Sequence, residues 1–209
     1  AAEKILPDSK KEDDEDLRLK YIRPFDSSYA VGNSAIAVTQ VKEEVNRMLD
    51  MVAKNIGDAF DTLIKYNDKS RKKVEEREEY IDYLNKGISE YIVSLMAGEM
   101  NADDSRKING YYAIISNLER IGDHATNIAG YADDMKKWDL KFSDNVLDEL
   151  EEMKKQCITC LENVKNVDPA DTGRVLSQAE VLEQKTDDMR DKYFKKQMQR
   201  LKKGKCNPQ

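Results

Sequence analysis

At 209 residues the chain is long enough for one domain or two small ones, and a single core of that size would bury roughly 70% of the unfolded surface. Charged residues make up 36% of it and aromatics only 7%, a balance that suits long solvated helices and excludes most sandwiches and barrels. The net charge of -6, from 41 acidic and 35 basic residues mixed along the chain, offers no positive field to collect phosphate backbones, which excludes nucleic acid as a partner.

The first 33 residues differ from the rest. A dense charged run at residues 10–16 is followed by the helix breakers Arg23-Pro24 and Gly32-Asn33, and the segment 1–33 reads as a tether or an extended arm. It lacks the apolar centre of a secretory signal. The longest apolar runs, residues 91–96 and 111–115, fall far short of the ~20 residues of a membrane helix. A reducing, cytoplasmic setting is expected.

From Ser34, a candidate N-cap, apolar residues recur at Val38, Val41, Val45, Met48, Val52, Ile56, Ala59 and Leu63, which is helical spacing over about 30 residues. Tyr66-Asn67-Asp68 interrupts the pattern. Val74, Ile81, Leu84, Ile88, Tyr91 and Leu95 then form a second stripe, closed by Gly98. Residues 99–104 connect to a third, with Ile108, Tyr111, Ile114, Leu118, Ile121, Ala125 and Ile128, and Gly130 near its exit. Short connections between long amphipathic helices force neighbours to run antiparallel, so residues 34–136 are expected to form a three-helix bundle.

Trp138 and Phe142 fall in a link expected to pack on the bundle ends, and Ser143 or Asp144 can cap a fourth helix along Val146, Leu150, Met153, Cys157, Leu161 and Val164. Residues 166–173 break it. A fifth helix carries Val175, Ala179, Leu182, Met189 and Tyr193 and runs to about Lys203-Gly204. Of the three cysteines, Cys157 and Cys160 form a CxxC inside the fourth helical pattern, while Cys206 stands apart. With no second pair and no histidine nearby, core packing suits that pair better than a zinc or redox role.

A shift of 105 positions lays Val41 on Val146, Val45 on Leu150, Met48 on Met153, Val52 on Cys157 and Ile56 on Leu161, and then Val74 on Ala179, Leu84 on Met189 and Ile88 on Tyr193. The chain is therefore expected to be all-α, built of tandem antiparallel three-helix bundles. The second bundle, residues 137–209, lacks its last helix. Its two helices must cover their apolar faces against each other, the first bundle or another copy.

The same shift lays Glu78 and Asp82 on Glu183 and Asp187, both ExxxD. Glu119 and Asp123 repeat the spacing on the third helix, one turn before Asn127. Residues four apart stack on one helix face, so each pair sets two like charges together, an arrangement that costs a few tenths of a kcal/mol unless a cation offsets it. Oxygen donors converging from two helices would suit magnesium, manganese, iron or zinc. In so charged a chain the same pairs could equally form a solvated face. His124, the sole histidine, has no nucleophile paired with it by any motif, and neither a triad nor a glycine-rich phosphate loop is present, so an enzyme has little to stand on.

The segment Leu118-Glu119-Arg120-Ile121-Gly122-Asp123-His124-Ala125-Thr126-Asn127-Ile128-Ala129 resembles the signature of the PhoU family of phosphate-signalling proteins. That resemblance covers most of residues 34–203 and implies two three-helix bundles in tandem, with acidic motifs that hold multinuclear metal clusters. It makes Glu78, Asp82, Glu119 and Asp123 ligands of a first cluster and Glu183 and Asp187 half of a second. Within the family the chain is most similar to the PhoU-like domain that follows the membrane part of bacterial sodium/phosphate cotransporters, through residues 35–37, 42–48 and 200–206. By that likeness its partners are the transporter part of the same protein or a signalling protein, with a second copy as a further candidate. Its location would be the cytoplasmic face of the cell membrane, and its role regulatory and not catalytic. A free-standing PhoU-like regulator and a metal-dependent phosphoesterase are the alternatives. Thr186 stands where the first unit has Ile81, and the helix that would complete the second cluster is missing.

Overall fold

The computed structural model describes residues 17–22, 34–165 and 172–205. The charged run at 10–16, the breakers Arg23-Pro24 and Gly32-Asn33, most of the 166–173 break and Cys206 lie outside the described residues, as does the Val175 side chain. The described residues hold five helices and no strand: α1 (Ser34–Ile64), α2 (Asp68–Met96), α3 (Ala102–Lys137), α4 (Asp144–Val164) and α5 (Thr172–Lys202). None is long and apolar enough to cross a membrane.

Asparagines start two of them. Asn67 Oδ1 accepts from the Lys69 and Ser70 N–H groups at 2.9 and 3.2 Å, and Asn101 Oδ1 does the same for Asp103 and Asp104 at 3.0 and 2.9 Å. Three helix ends or links differ from expectation. Gly98 is not in the left-handed region, and α2 ends instead on right-handed Ala97. α3 runs seven residues past Gly130, because buried Ala132 keeps its stripe in contact with the bundle. It stops where Asp139 turns left-handed (φ 47°), with Leu140 N–H reaching Met135 O and Asp139 N–H reaching Lys136 O. Trp138, expected to pack on the bundle end, is 58% exposed, since that turn carries it outward beneath the Lys137 ammonium.

Helix α1 lies in the middle. It runs antiparallel to α2, pairing Gln40 with Tyr91 and Asn55 with Arg77, and alongside α3 in the same direction, where the Ser34 hydroxyl donates to Asp104. α2 and α3 are antiparallel through Arg71 with Asp133 and Asp68 with Lys136. Met48, Leu49, Ile81, Leu84, Ile88, Ile92, Ile108 and Ile115 fill the space between the three. α4 lies back along α1, with Ile158 facing Gly57, Lys154 on Asp61 and Lys165 on Asp50. α5 packs on α4 alone among the described helices.

That last interface is polar. Arg200 grips buried Glu149 through both carboxylate oxygens at 3.1 and 2.9 Å, the Tyr193 hydroxyl donates to Glu152, and Gln156 reaches Thr186 and the Leu182 carbonyl. Leu176, Val181 and Phe194 of α5 stay exposed.

Candidate functional site: an acidic seam between the second and third helices

Gly122 decides how near α2 and α3 can come. A methyl group on it would stand 3.3 Å from Ile81 Cγ2, tighter than normal contact, so the glycine lets the backbone of α3 rest on the Ile81 side chain. Glu78 and Asp82 flank Ile81, and Glu119 and Asp123 flank Gly122. Antiparallel packing at this crossing brings the two ExxxD pairs onto one seam.

Two of the four carboxylates, Glu78 and Glu119, feel the others. The Glu78 carboxyl is pushed up to about 7, first by burial, then by the charges of Asp82 and Asp123, a hydrogen bond shared with Asp82 and the charge of Glu119. Glu119 is raised too, first by burial and then by Asp123 and Asp82, with Arg120 opposing. One turn further along each helix, on the same face, Asn85 Oδ1 and Thr126 Oγ1 are buried oxygens without a hydrogen-bond partner in the structure. The seam thus offers only oxygen donors, carries more negative charge than its own chain offsets, and fits a hard or intermediate cation in donor chemistry. Among the described residues no three Asp, Glu, His or Cys side chains are already gathered into a coordination shell, so a bound ion would have to draw the exposed Asp82 and Asp123 inward.

Glu183 and Asp187 do not join the four, because among the described helices α5 touches only α4. Where the first unit has Asn85 and Thr126, one turn past each pair, α5 has Arg190, whose guanidinium lies 2.8 Å from Asp187. That arginine offsets from within the chain the charge that the seam leaves open. His124 is exposed.

Sequence reasoning missed a second buried acid. Glu44 is fully buried on α1, with Oε2 accepting the Lys20, Tyr21 and Ile22 N–H groups at 2.8, 2.7 and 3.4 Å and Oε1 accepting Arg47 Nε at 2.6 Å. A signal existed: Glu44 interrupts the apolar stripe between Val41 and Met48, and the 105-residue shift lays it on Glu149, also buried.

Long antiparallel helices, an ExxxD pair on each of two neighbours and a glycine that lets them touch define a helical bundle with an acidic seam. Residues 45–132, which hold all of that seam, match the PhoU domain family. The chain is similar to the phosphate-specific transport system accessory protein PhoU homolog of Aquifex aeolicus, 36% identical over 91 residues, 43% of this chain and 41% of the relative. It is also similar to PhoU homolog 1 of Thermotoga maritima, 32% identical over 117 residues, 56% of this chain and 50% of that one. A PhoU homolog of Clostridium acetobutylicum is 32% identical over 92 residues, 43% and 42% of the two chains. The chain spans about half the length of the curated relatives it matches or less. No solved structure matches it.

Proposed function

We propose that this chain is a regulatory domain in the control of phosphate uptake, acting by binding and not by catalysis. The PhoU match over residues 45–132 and relatives named as accessory proteins of phosphate-specific transport support that role. The site is the α2–α3 seam, where Glu78, Asp82, Glu119 and Asp123 would hold a divalent or trivalent ion, iron, zinc, manganese or magnesium. The observation that carries this is the close crossing of Gly122 on Ile81, which sets the two ExxxD pairs on one seam, where burial first and then the neighbouring carboxylates push Glu78 up to about 7. A bound ion would supply a counter-charge and a surface for oxyanions such as phosphate. Glu183 and Asp187 lie on α5, apart from this first site, and Asp187 is paired with Arg190.

In the fuller reading the domain belongs to a sodium/phosphate cotransporter-like protein, on the cytoplasmic side of its membrane part, and biases transport according to the state of the seam. A free-standing regulator differs only in lacking upstream membrane helices, which the complete gene reveals.

The test is titration of chelator-treated protein with manganese, zinc or ferric iron by calorimetry, followed by metal analysis. The wild type should retain metal, and the Glu119→Ala/Asp123→Ala variant should lose at least tenfold in affinity. Equal retention by both, or none by either, refutes the seam as a metal site. Turnover of simple phosphoesters by the manganese or zinc form would instead favour a hydrolase.

A further inference from the structure

Residues 17–22 do not behave as a plain tether. Three successive backbone N–H groups, those of Lys20, Tyr21 and Ile22, converge on one oxygen of Glu44, a main-chain nest closed on an anion that comes from the bundle itself. On the segment's other edge, Arg47 Nη2 donates to the Arg18 carbonyl at 2.8 Å, and the Tyr80 hydroxyl both accepts from Arg18 N–H at 3.4 Å and donates to its carbonyl at 3.1 Å. Leu19 lies over Gly87, where a methyl group would stand 3.2 Å from its Cδ atoms, and Ile22 is buried in the core.

The second unit shows what the groove requires. Glu149, the counterpart of Glu44, is held by Arg200 and Lys196 of its own helix pair. The same shift puts Leu95 and Tyr91 at those two places in the first unit, neither of them a cation. Glu44 keeps Arg47 on Oε1, a pair within α1 that survives without any strap, and gives Oε2 to backbone donors of the described residues. A carboxylate so divided can lose and regain an extended segment without being left alone in the core.

We propose that the face of α1 and α2 around Glu44 is a docking groove for an extended Leu-x-x-Ile segment read mainly through its backbone, with residues 17–22 as its resident, exchangeable ligand in cis. Backbone donors supply the anchoring, and the Gly87 notch and the core opening at Ile22 select the two apolar side chains. The inference does not depend on metal at the seam.

Two measurements on the full chain test it. A fluorescent peptide of residues 15–24 should bind the Leu19→Asp/Ile22→Asp variant at least tenfold tighter than wild type, whose own strap competes. Adding Glu44→Gln should weaken that binding at least tenfold. Equal binding to wild type and variant, no binding to a natively folded variant, or indifference to Glu44→Gln overturns the groove. Should the double variant fail to fold, amide exchange decides alone. Gly87→Ala, which favours the helix but crowds Leu19, should speed exchange at Tyr21 and Ile22 at least tenfold with no fall in melting temperature, and unchanged protection overturns the proposal. Protection that rises with protein concentration would assign the groove to a second copy's segment and overturn the cis assignment.

Discussion

Replacing Glu78 by glutamine should make the metal-free protein more stable above neutral pH and leave it unchanged in mild acid. Glu78 holds its proton to about 7 in the folded chain, against 4.5 for an ordinary glutamate, so between those values the folded state binds more protons than the unfolded one. The group therefore costs least below pH 4.5, and stability falls as the pH climbs towards 7 and is level beyond. At full strength the difference is worth about 3 kcal/mol, which solvent screening on a half-exposed seam cuts to about 1 kcal/mol. For a chain of this size that is a gain of about 2–4 °C in Tm. Thermal unfolding followed by circular dichroism at pH 5, 6.5 and 8, in chelator, should show the gain of Glu78→Gln appearing only as the pH rises. A gain of equal size at pH 5 and 8, or a loss at pH 8, would refute the cost of ionising Glu78 in the seam, set first by burial and then by its carboxylate neighbours.

Other perturbations follow from the same packing. Gly122→Ala should lower stability by about 1 kcal/mol, the overpacking against Ile81 outweighing the better helix former, as read from urea unfolding. Removing the buried carboxylate in Glu44→Ala should cost about 2–4 kcal/mol, because Arg47 and three backbone donors lose their acceptor together; a change under 1 kcal/mol in the same assay would count against it. Burial alone would raise the Glu149 carboxyl, but hydrogen bonds from Arg200 and Lys196 outweigh it and hold it below its ordinary value. The hold of α5 on α4 is therefore present above about pH 4.5 and lost on acidification through the folded value. Arg200→Ala should expose α5 to limited proteolysis at neutral pH, where the wild type resists.

The elements were written plainly in the sequence because long helices repeat one apolar spacing many times. Ser34, Asn67 and Gly204 stand at or within two residues of observed helix ends. Trp138 was misplaced because a Schellman turn depends on the conformation of Asp139, an L-residue whose left-handed φ no pattern announces. The ExxxD pairs could be found, but their meeting could not be read from either helix alone. It depends on Gly122 opposite Ile81, a contact between residues 41 positions apart. Glu44 stayed hidden because a charged residue in an acidic chain reads as surface until its partners, the backbone amides of a distant segment, are in view. In α5 the pair Glu183 and Asp187 repeats the spacing, and what spacing does not show is the ion pair of Asp187 with Arg190.

Because α1 touches α2, α3 and α4, no one of these can detach without baring part of the same central rod. The first four helices should accordingly open as one cooperative unit, with amides near Met48 and Val52 exchanging only through global unfolding. α5, joined among the described helices to a single neighbour by charge and amide contacts, should fray at far lower free energy, so the molecule would show two rungs of local stability under native exchange, and salt would shift only the lower one.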